Sequence, residues 1–288
     1  MPELVAEEAH AKVNLSLRVQ GRRADGYHEL QSLVVFAGTC DRLTALDAAD
    51  VTLHLTGPFA AALEGETDNL VLRAARALKE ATNHQGGARL TLEKNLPIAS
   101  GIGGGSADAA AAIRALMRLW HAAPEETALK HLAASLGADV PVCLLSRTAL
   151  MWGTGEKMAP VEVPRFWLVL ANPGIEVPTA SVFRALEAPR LGTPPADPPV
   201  PGFAAFADLA AWLRENGNDL EMPARALAPE IGEVLAGLAS TIGCRLARMS
   251  GSGATCFGLY EGEAEARAAA QVLKAAHPRW WLEATAVA

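Results

Sequence analysis

The amino-acid sequence predicts an α+β fold in two domains, on three observations. Several short stretches alternate apolar and polar residues as strands do, while others repeat apolar residues at helical spacing. The chain has 288 residues, half of them hydrophobic, which is enough to bury one large or two medium cores. Residues 161–171, containing Phe166-Trp167-Leu168-Val169-Leu170, read as a buried strand that opens a second domain, so the boundary is placed between 1–160 and 161–288.

Bulk properties exclude several classes. A formal net charge of −7 argues against a general nucleic-acid binder, which carries a basic face. The acidic start Met1-Pro2-Glu3-Leu4-Val5-Ala6-Glu7-Glu8 lacks a signal-peptide core, and no apolar run approaches the ~18 residues of a membrane span. The expected setting is cytoplasmic, without membrane contact. Cys40, Cys143, Cys244 and Cys256 are scattered without C-x-x-C spacing and the histidines form no paired motif, so neither structural zinc nor a disulfide framework is expected. Each cysteine reads as a small buried hydrophobe, with Cys143 near a candidate catalytic loop and so open to a reactive role.

Taken in order, residues 11–19 alternate, so Lys12, Asn14 and Ser16 share one strand face and Val13, Leu15 and Leu17 the other. Lys12 and Asn14 project in parallel, suited to a phosphate or a substrate hydroxyl; a solvated strand face is the competing reading. Residues 21–30 are turn chemistry closed by Tyr27-His28, a pair able to stack on a planar base or simply to pack, ahead of the apolar run Leu33-Val34-Val35-Phe36. A strand follows at 51–55, then a helix from 68 to 81 with Asp68 as its natural N-cap.

Arg89 to Lys94 alternates as a strand and leads into Leu96-Pro97-Ile98-Ala99-Ser100-Gly101-Ile102-Gly103-Gly104-Gly105-Ser106-Ala107-Asp108. Four glycines in five positions allow left-handed backbone and close approach of N–H groups to a ligand. The alanine-rich segment from Ser106 to Trp120 is a strong helix former. Strand, glycine loop and helix together offer an anion the N–H groups and dipole of a helix N-terminus. No lysine follows the glycines as a Walker motif requires, and Ser106 stands where a dinucleotide fingerprint wants glycine. A triphosphate held by backbone in another fold is the reading that remains, against a glycine-rich turn with no ligand.

Pro124-Glu125-Glu126 starts a helix, with the proline near its first position, and Gly137 ends it. Ala138-Asp139-Val140-Pro141 then reads as a stiff, extended link into a strand, because proline biases Val140 away from helix. A carboxylate fixed there would orient or deprotonate an alcohol, or else bond its own turn. Beyond the strand at 161–171, a helix starts around 177–183 and Pro189 to Gly202 reads as an exposed connector. Asn218-Asp219-Leu220-Glu221 enters helical segments through Leu238. Residues 248–260 form a second glycine/serine loop entering a strand, placed to pack on the first loop or to serve as a hairpin. A helix at 264–275 and a strand around 280–282 close the chain.

These pieces together resemble the GHMP kinases. The match rests on Ala-Lys-Val-Asn-Leu at 11–15, residues 21–30, Lys-Asn-Leu-Pro at 94–97, Gly-Ile-Gly-Gly-Gly-Ser at 101–106, Leu-Gly-Ala-Asp-Val-Pro at 136–141, Asn-Asp-Leu-Glu at 218–221 and Met-Ser-Gly-Ser-Gly-Ala-Thr at 249–255. The block at 21–30 with Ala-Asp-Val-Pro is specific to the branch acting on a cytidine-diphosphate-linked methylerythritol. The resemblance implies an α+β, two-domain GHMP-kinase-like architecture with the active site in the cleft between domains. It implies transfer of the γ-phosphoryl of ATP to the 2-hydroxyl of that substrate, with Mg²⁺ arriving on ATP and no residue named as its ligand. By motif position Asp139 is the catalytic carboxylate and Lys12 its cationic partner. Pro97, Ile98, Ala99, Ser100, Gly101, Ile102, Gly103, Gly104, Gly105, Ser106 and Ala107 would hold the phosphates, with Asn69 and Lys94 around the nucleotide. Tyr27 and Phe183 would sandwich cytosine, His28 would read its edge, and Asn14 and Thr179 would contact substrate. The implied state is a monomer or weak homodimer.

The chain departs from the family pattern at Ala99 and Ser100, where glycines are usual, and at Ala107-Asp108, where Ser-Asn is common. A carboxylate at Asp108 would either repel the phosphates or help position Mg²⁺. Two other readings stay open: a kinase of the same fold with mevalonate- or homoserine-like substrates, and a catalytically silent nucleotide-binding module. Tyr27-His28 disfavours the first, since those substrates carry no base; Lys12 with Asp139 disfavours the second.

Overall fold

The computed structural model describes residues 4–63, 65, 68–193 and 195–287, and they form two compact units that interleave along the chain. The first comprises Met1–Ala11, Cys40–Ile98 and Gly103–Ser146; the second comprises Lys12–Thr39, Ala99–Ile102 and Arg147–Ala288. Strands β1 (Leu4–Asn14) and β3 (His28–Ala48) each run from one unit into the other.

In the first unit, β5 (Gly87–Glu93) lies antiparallel to the second half of β3, from Arg42↔Glu93 to Ala48↔Gly87, and parallel to β4 (Thr52–Thr56). Helices α1 (Leu70–Ala81), α2 (Gly104–Leu119), α3 (Glu126–Leu136) and α4 (Val140–Leu145) complete it. Ala109 to Ala112 of α2 are all fully buried, so the small side chains let α1 and α4 approach α2 closely.

Three local expectations are corrected here. The N-cap of α1 is Asn69, whose Oδ1 accepts from Val71 N at 2.9 Å, while Asp68 is exposed and lies 3.9 Å from Arg73. The helix begins one residue later than the Asp68 signal implied, and either side chain suits a cap. Pro124 stands outside α3, which starts at Glu126 after its cap Glu125. Asp139 does not sit on an extended link to a strand: its backbone is helical (φ −88°, ψ −14°) and α4 follows at once. Pro141 falls in the first turn of α4, where a missing N–H costs nothing, and burial of Val140, Val142 and Cys143 outweighs the bias before proline.

In the second unit a sheet runs β9 (Leu246–Met249), β10 (Cys256–Tyr260), β8 (Phe166–Asn172), β11 (Trp281–Val287), all antiparallel, and β11 meets β3 at Val287↔Ala37. Strand β8 starts at Phe166, inside the expected 161–171. Helices α5 (Thr179–Leu186), α6 (Phe206–Glu215), α7 (Glu221–Leu227), α8 (Glu230–Ser240) and α9 (Glu263–Ala276) accompany it. Val169, Ile231, Val234, Leu238, Met249, Tyr260 and Leu273 share its core. The hairpin of β6 (Ala149–Gly153) and β7 (Lys157–Pro160), joined to β3, and helix α6 were not anticipated from sequence. Strand β1 ends at Asn14, and β2 (Arg18–Arg22) resumes after a bend, so the expected strand over 11–19 is broken. The proline-rich connector is fastened: Leu191 N donates to Arg22 O at 2.9 Å, and Asp197 accepts from Trp152 Nε1 and Lys157 Nζ, each at 2.8 Å. Among the described residues no helix is long and apolar enough to cross a membrane.

Candidate active site

The glycine stretch is divided along the chain, Ala99–Ile102 belonging to the second unit and Gly103 onward to the first. In the first unit α2 begins at Gly104, two residues before Ser106, because Gly103 takes the left-handed conformation (φ 64°) and caps the helix. The first helical bond runs from Ala107 N to Gly103 O at 2.8 Å. The N–H groups of Gly104, Gly105 and Ser106 therefore have no acceptor within the helix, and they carry the positive end of its dipole. A Cβ placed on Gly105 would meet nothing within 4 Å, so the approach to these N–H groups is open on that side.

Beneath this helix start lies a buried ionic cluster. Lys94 Nζ is 2.5 Å from Asp41 Oδ2 and 2.7 Å from Asp108 Oδ2, and a Cβ on Gly104 would come 3.5 Å from the same ammonium. Asp41 Oδ1 accepts from Asn95 N at 2.6 Å and Leu96 N at 2.8 Å, fixing the chain as it leaves β5 for the loop. Burial works against the Lys94 ammonium, yet Asp108 and Asp41 together hold its proton more tightly than a free lysine would. Burial raises the Asp108 carboxyl to about 8, Lys94 opposing and Asp41 assisting. Two carboxyl groups share one cation, and Asp108 Oδ1 has no hydrogen-bond partner. Asp108 thus turns its carboxyl group to Lys94, a partner the sequence did not reveal. Asp139, half-buried, opens α4, which Arg114 anchors by donating to Cys143 O at 2.9 Å while pairing with Glu7. Cys143 is buried.

The second unit holds the other half of the expected residues. Lys12 and Asn14 do come together: Lys12 Nζ donates to Asn14 Oδ1 at 3.0 Å, and both are under 5% exposed, which excludes a solvated strand face. Asn14 Nδ2 donates to Ser32 Oγ at 2.7 Å, and Asn14 N donates to Ser250 Oγ at 3.0 Å. Ser250 Oγ in turn donates to Gly101 O at 2.9 Å, and Thr255 N to Ser100 O at 3.0 Å. The loop between β9 and β10 is therefore a hairpin tip and a support for Ala99–Ile102 at once. A Cβ on Gly101 would lie 2.6 Å from Ser250 O and 2.7 Å from Gly253 O, so only glycine fits. Ala99 occupies φ 49° where glycine would be unstrained.

His28 packs on Phe183, ring centroids 4.7 Å apart, while Tyr27 is 65% exposed. Burial, then Arg22, lowers the His28 pKa, leaving a neutral imidazole at pH 7. Thr179 opens α5 and its Oγ1 lies 2.8 Å from Ser252 Oγ. The Asn-Asp-Leu-Glu motif at 218–221, to which sequence reasoning assigned no role, fastens the second loop. Asn218 Nδ2 donates to both Met249 O and Gly251 O at 2.8 Å, and Glu221 Oε2 accepts from Met249 N at 3.0 Å. Their signal was present in Asn-Asp-Leu-Glu, a polar run opening a helix without an obvious structural need.

A glycine-opened helix N-terminus in the first unit, and a strand bearing a buried lysine and asparagine in the second, are features suited to holding phosphate. The family description "GHMP kinases N terminal domain" matches residues 69–147, and "GHMP kinases C terminal" matches 200–279. A 4-diphosphocytidyl-2-C-methyl-D-erythritol kinase from Parvibaculum lavamentivorans is 66% identical over 98% of both chains, and one from Cereibacter sphaeroides is 56% identical over 95% of this chain and 96% of that one. A crystal structure of 4-(cytidine 5'-diphospho)-2C-methyl-D-erythritol kinase superposes with a TM-score of 0.77 at 40% identity, covering 98% of each chain. The chain belongs to the GHMP kinases, in the family of 4-diphosphocytidyl-2-C-methyl-D-erythritol kinases.

Proposed function

We propose that the chain transfers the γ-phosphoryl group of ATP to the 2-hydroxyl of 4-diphosphocytidyl-2-C-methyl-D-erythritol, in isoprenoid precursor synthesis. The observation that carries the chemistry is the open start of α2, with three N–H groups free of helical acceptors and a glycine surface at Gly105. The full-length likeness to the kinases named above carries the substrate.

Phosphoryl transfer asks a protein chiefly for positioning and charge stabilisation. Residues Pro97 to Ala107 hold the ATP phosphates, the N–H groups of Gly104, Gly105 and Ser106 replacing solvent. Lys12 supplies positive charge to the transferring group and is kept in place by Asn14. Asp139 orients the acceptor hydroxyl and takes its proton. Tyr27, His28 and Phe183 receive the cytosine; the neutral His28 offers one ring nitrogen as donor and one as acceptor. Asn14 and Thr179 contact the substrate, and Asn69 and Lys94 border the nucleotide, Lys94 from beneath α2. Mg²⁺ bound with ATP would supply charge neutralisation at the phosphates. Asp41 and Asp108 already share Lys94, so neither is assigned to the metal. The enzyme works in the cytoplasm as a monomer or weak homodimer, apart from nucleic acid and membrane.

The test is ADP release from purified protein offered the cytidylated substrate, mevalonate or homoserine. Turnover with the first alone supports the reading. Faster turnover with either of the others moves the chain to a different substrate class, and none with any leaves a nucleotide-binding module.

A further inference from the structure

We propose that Glu8, His10 and Cys40 form a divalent transition-metal site of the zinc class in the first unit. Glu8 and His10 are two residues apart on β1 and so share a face; β1 pairs with β3, which brings Cys40 beside them. One ligand atom from each residue lies within 4.8 Å of the others, and Glu8 Oε2 is 3.4 Å from His10 Nε2. Zinc bonds of 2.0–2.3 Å put neighbouring ligands of a tetrahedron about 3.3–3.8 Å apart, so rotamer adjustments of under about 1.5 Å close the set.

The donor types also fit. A thiol, an imidazole and a carboxylate are the ligands zinc accepts, and three of them leave a fourth position for water. Thiolate and carboxylate together balance a divalent charge, with the imidazole neutral. The Cys40 thiol is held above its ordinary pKa by burial and by Glu8, with Asp41 adding and Arg42 opposing. Binding therefore breaks the S–H bond as the metal–sulfur bond forms, and the proton leaves to solvent. Cys40 immediately precedes Asp41, whose carboxylate holds Lys94 and the Asn95 and Leu96 amides. An ion at this place ties β1 to β3 next to the residue that fixes the entry to the glycine loop. The inference is independent of which alcohol the enzyme phosphorylates.

The test uses the full chain, freed of metal by chelator and titrated with Co²⁺ and with Zn²⁺ against a chromophoric chelator. One equivalent of Co²⁺ should produce a thiolate-to-cobalt charge-transfer band that Cys40→Ser abolishes. Zn²⁺ should bind in the micromolar range, weakened at least tenfold in His10→Gln and Glu8→Gln, and should raise Tm in the parent protein alone. Circular dichroism establishes that each variant is folded. A missing band, a band that survives Cys40→Ser, or zinc affinity unchanged in the folded His10→Gln variant would overturn the site.

Discussion

Lys94 Nζ lies 2.7 Å from Asp108 Oδ2, and neither side chain is more than 4% exposed. Asp41 approaches the same ammonium from β3, so the start of α2 rests on one cation and two carboxyls. The cluster sets the first two predictions.

Asp108 makes stability fall as pH rises. Its carboxyl is raised from 3.8 to about 8, so between those values the folded chain keeps a proton that the unfolded chain has released. Stability therefore declines with rising pH across that window and levels off above it. Asp108→Asn removes the titration and leaves Lys94 paired with Asp41. Tm measured from pH 5 to 9 should decline less steeply in the variant, and parallel curves would show that Asp108 is not protonated in the fold.

Lys94→Met leaves two carboxyls buried without a cation and should destabilise by about 3–5 kcal/mol. Adding Asp108→Asn removes one of them and should restore part of the loss. Urea unfolding of the two variants measures both; a single-variant loss below about 1 kcal/mol contradicts a stabilising role for the Lys94 cluster.

The loop backbone favours glycine at two positions, one of which holds alanine. Gly101→Ala forces a Cβ against the Ser250 and Gly253 carbonyls at positive φ, and should cost about 1–3 kcal/mol with a higher KM for ATP. Ala99→Gly relieves a φ of 49° and should gain up to about 1 kcal/mol. Thermal unfolding with ATP kinetics reads both, and equal signs at the two sites would refute the geometry.

Asp139→Asn should lower kcat by roughly 10²- to 10⁴-fold, as loss of a positioned base does. Lys12→Ala should lower it by about 10²- to 10³-fold through lost charge stabilisation. Both should bind nucleotide with near-normal affinity, measured by titration of a fluorescent ADP analogue; undiminished turnover removes the residue concerned from the mechanism.

Tyr27→Ala and His28→Ala should each raise KM for the cytidylated substrate about tenfold, the loss of roughly 1.4 kcal/mol of stacking or edge contact, with little change in KM for ATP. An unchanged KM in both variants places the base elsewhere.

Much of this was legible from residue order. Alternation at 11–15 put Lys12 and Asn14 on one face, and the structure joins them at 3.0 Å because a strand repeats every two residues whatever surrounds it. The glycines before an alanine-rich run announced a helix with an open N-terminus, since left-handed backbone and helix propensity are both local properties. The helical turn at Asp139 was not legible. There the bias before proline pointed one way and burial of Val140, Val142 and Cys143 the other, and burial depends on neighbours far along the chain.

The sequence by itself therefore determined the parity of β1, the glycine entry to α2 and the pairing of Lys12 with Asn14 on one strand face. The tertiary structure alone decided that Asp41, 53 residues from Lys94, would share it with Asp108, and that Glu8, His10 and Cys40 would meet. Spacing along a chain fixes which side chains share a face, but which faces come together depends on strand pairing and helix packing, driven by burial of apolar surface contributed by the whole fold.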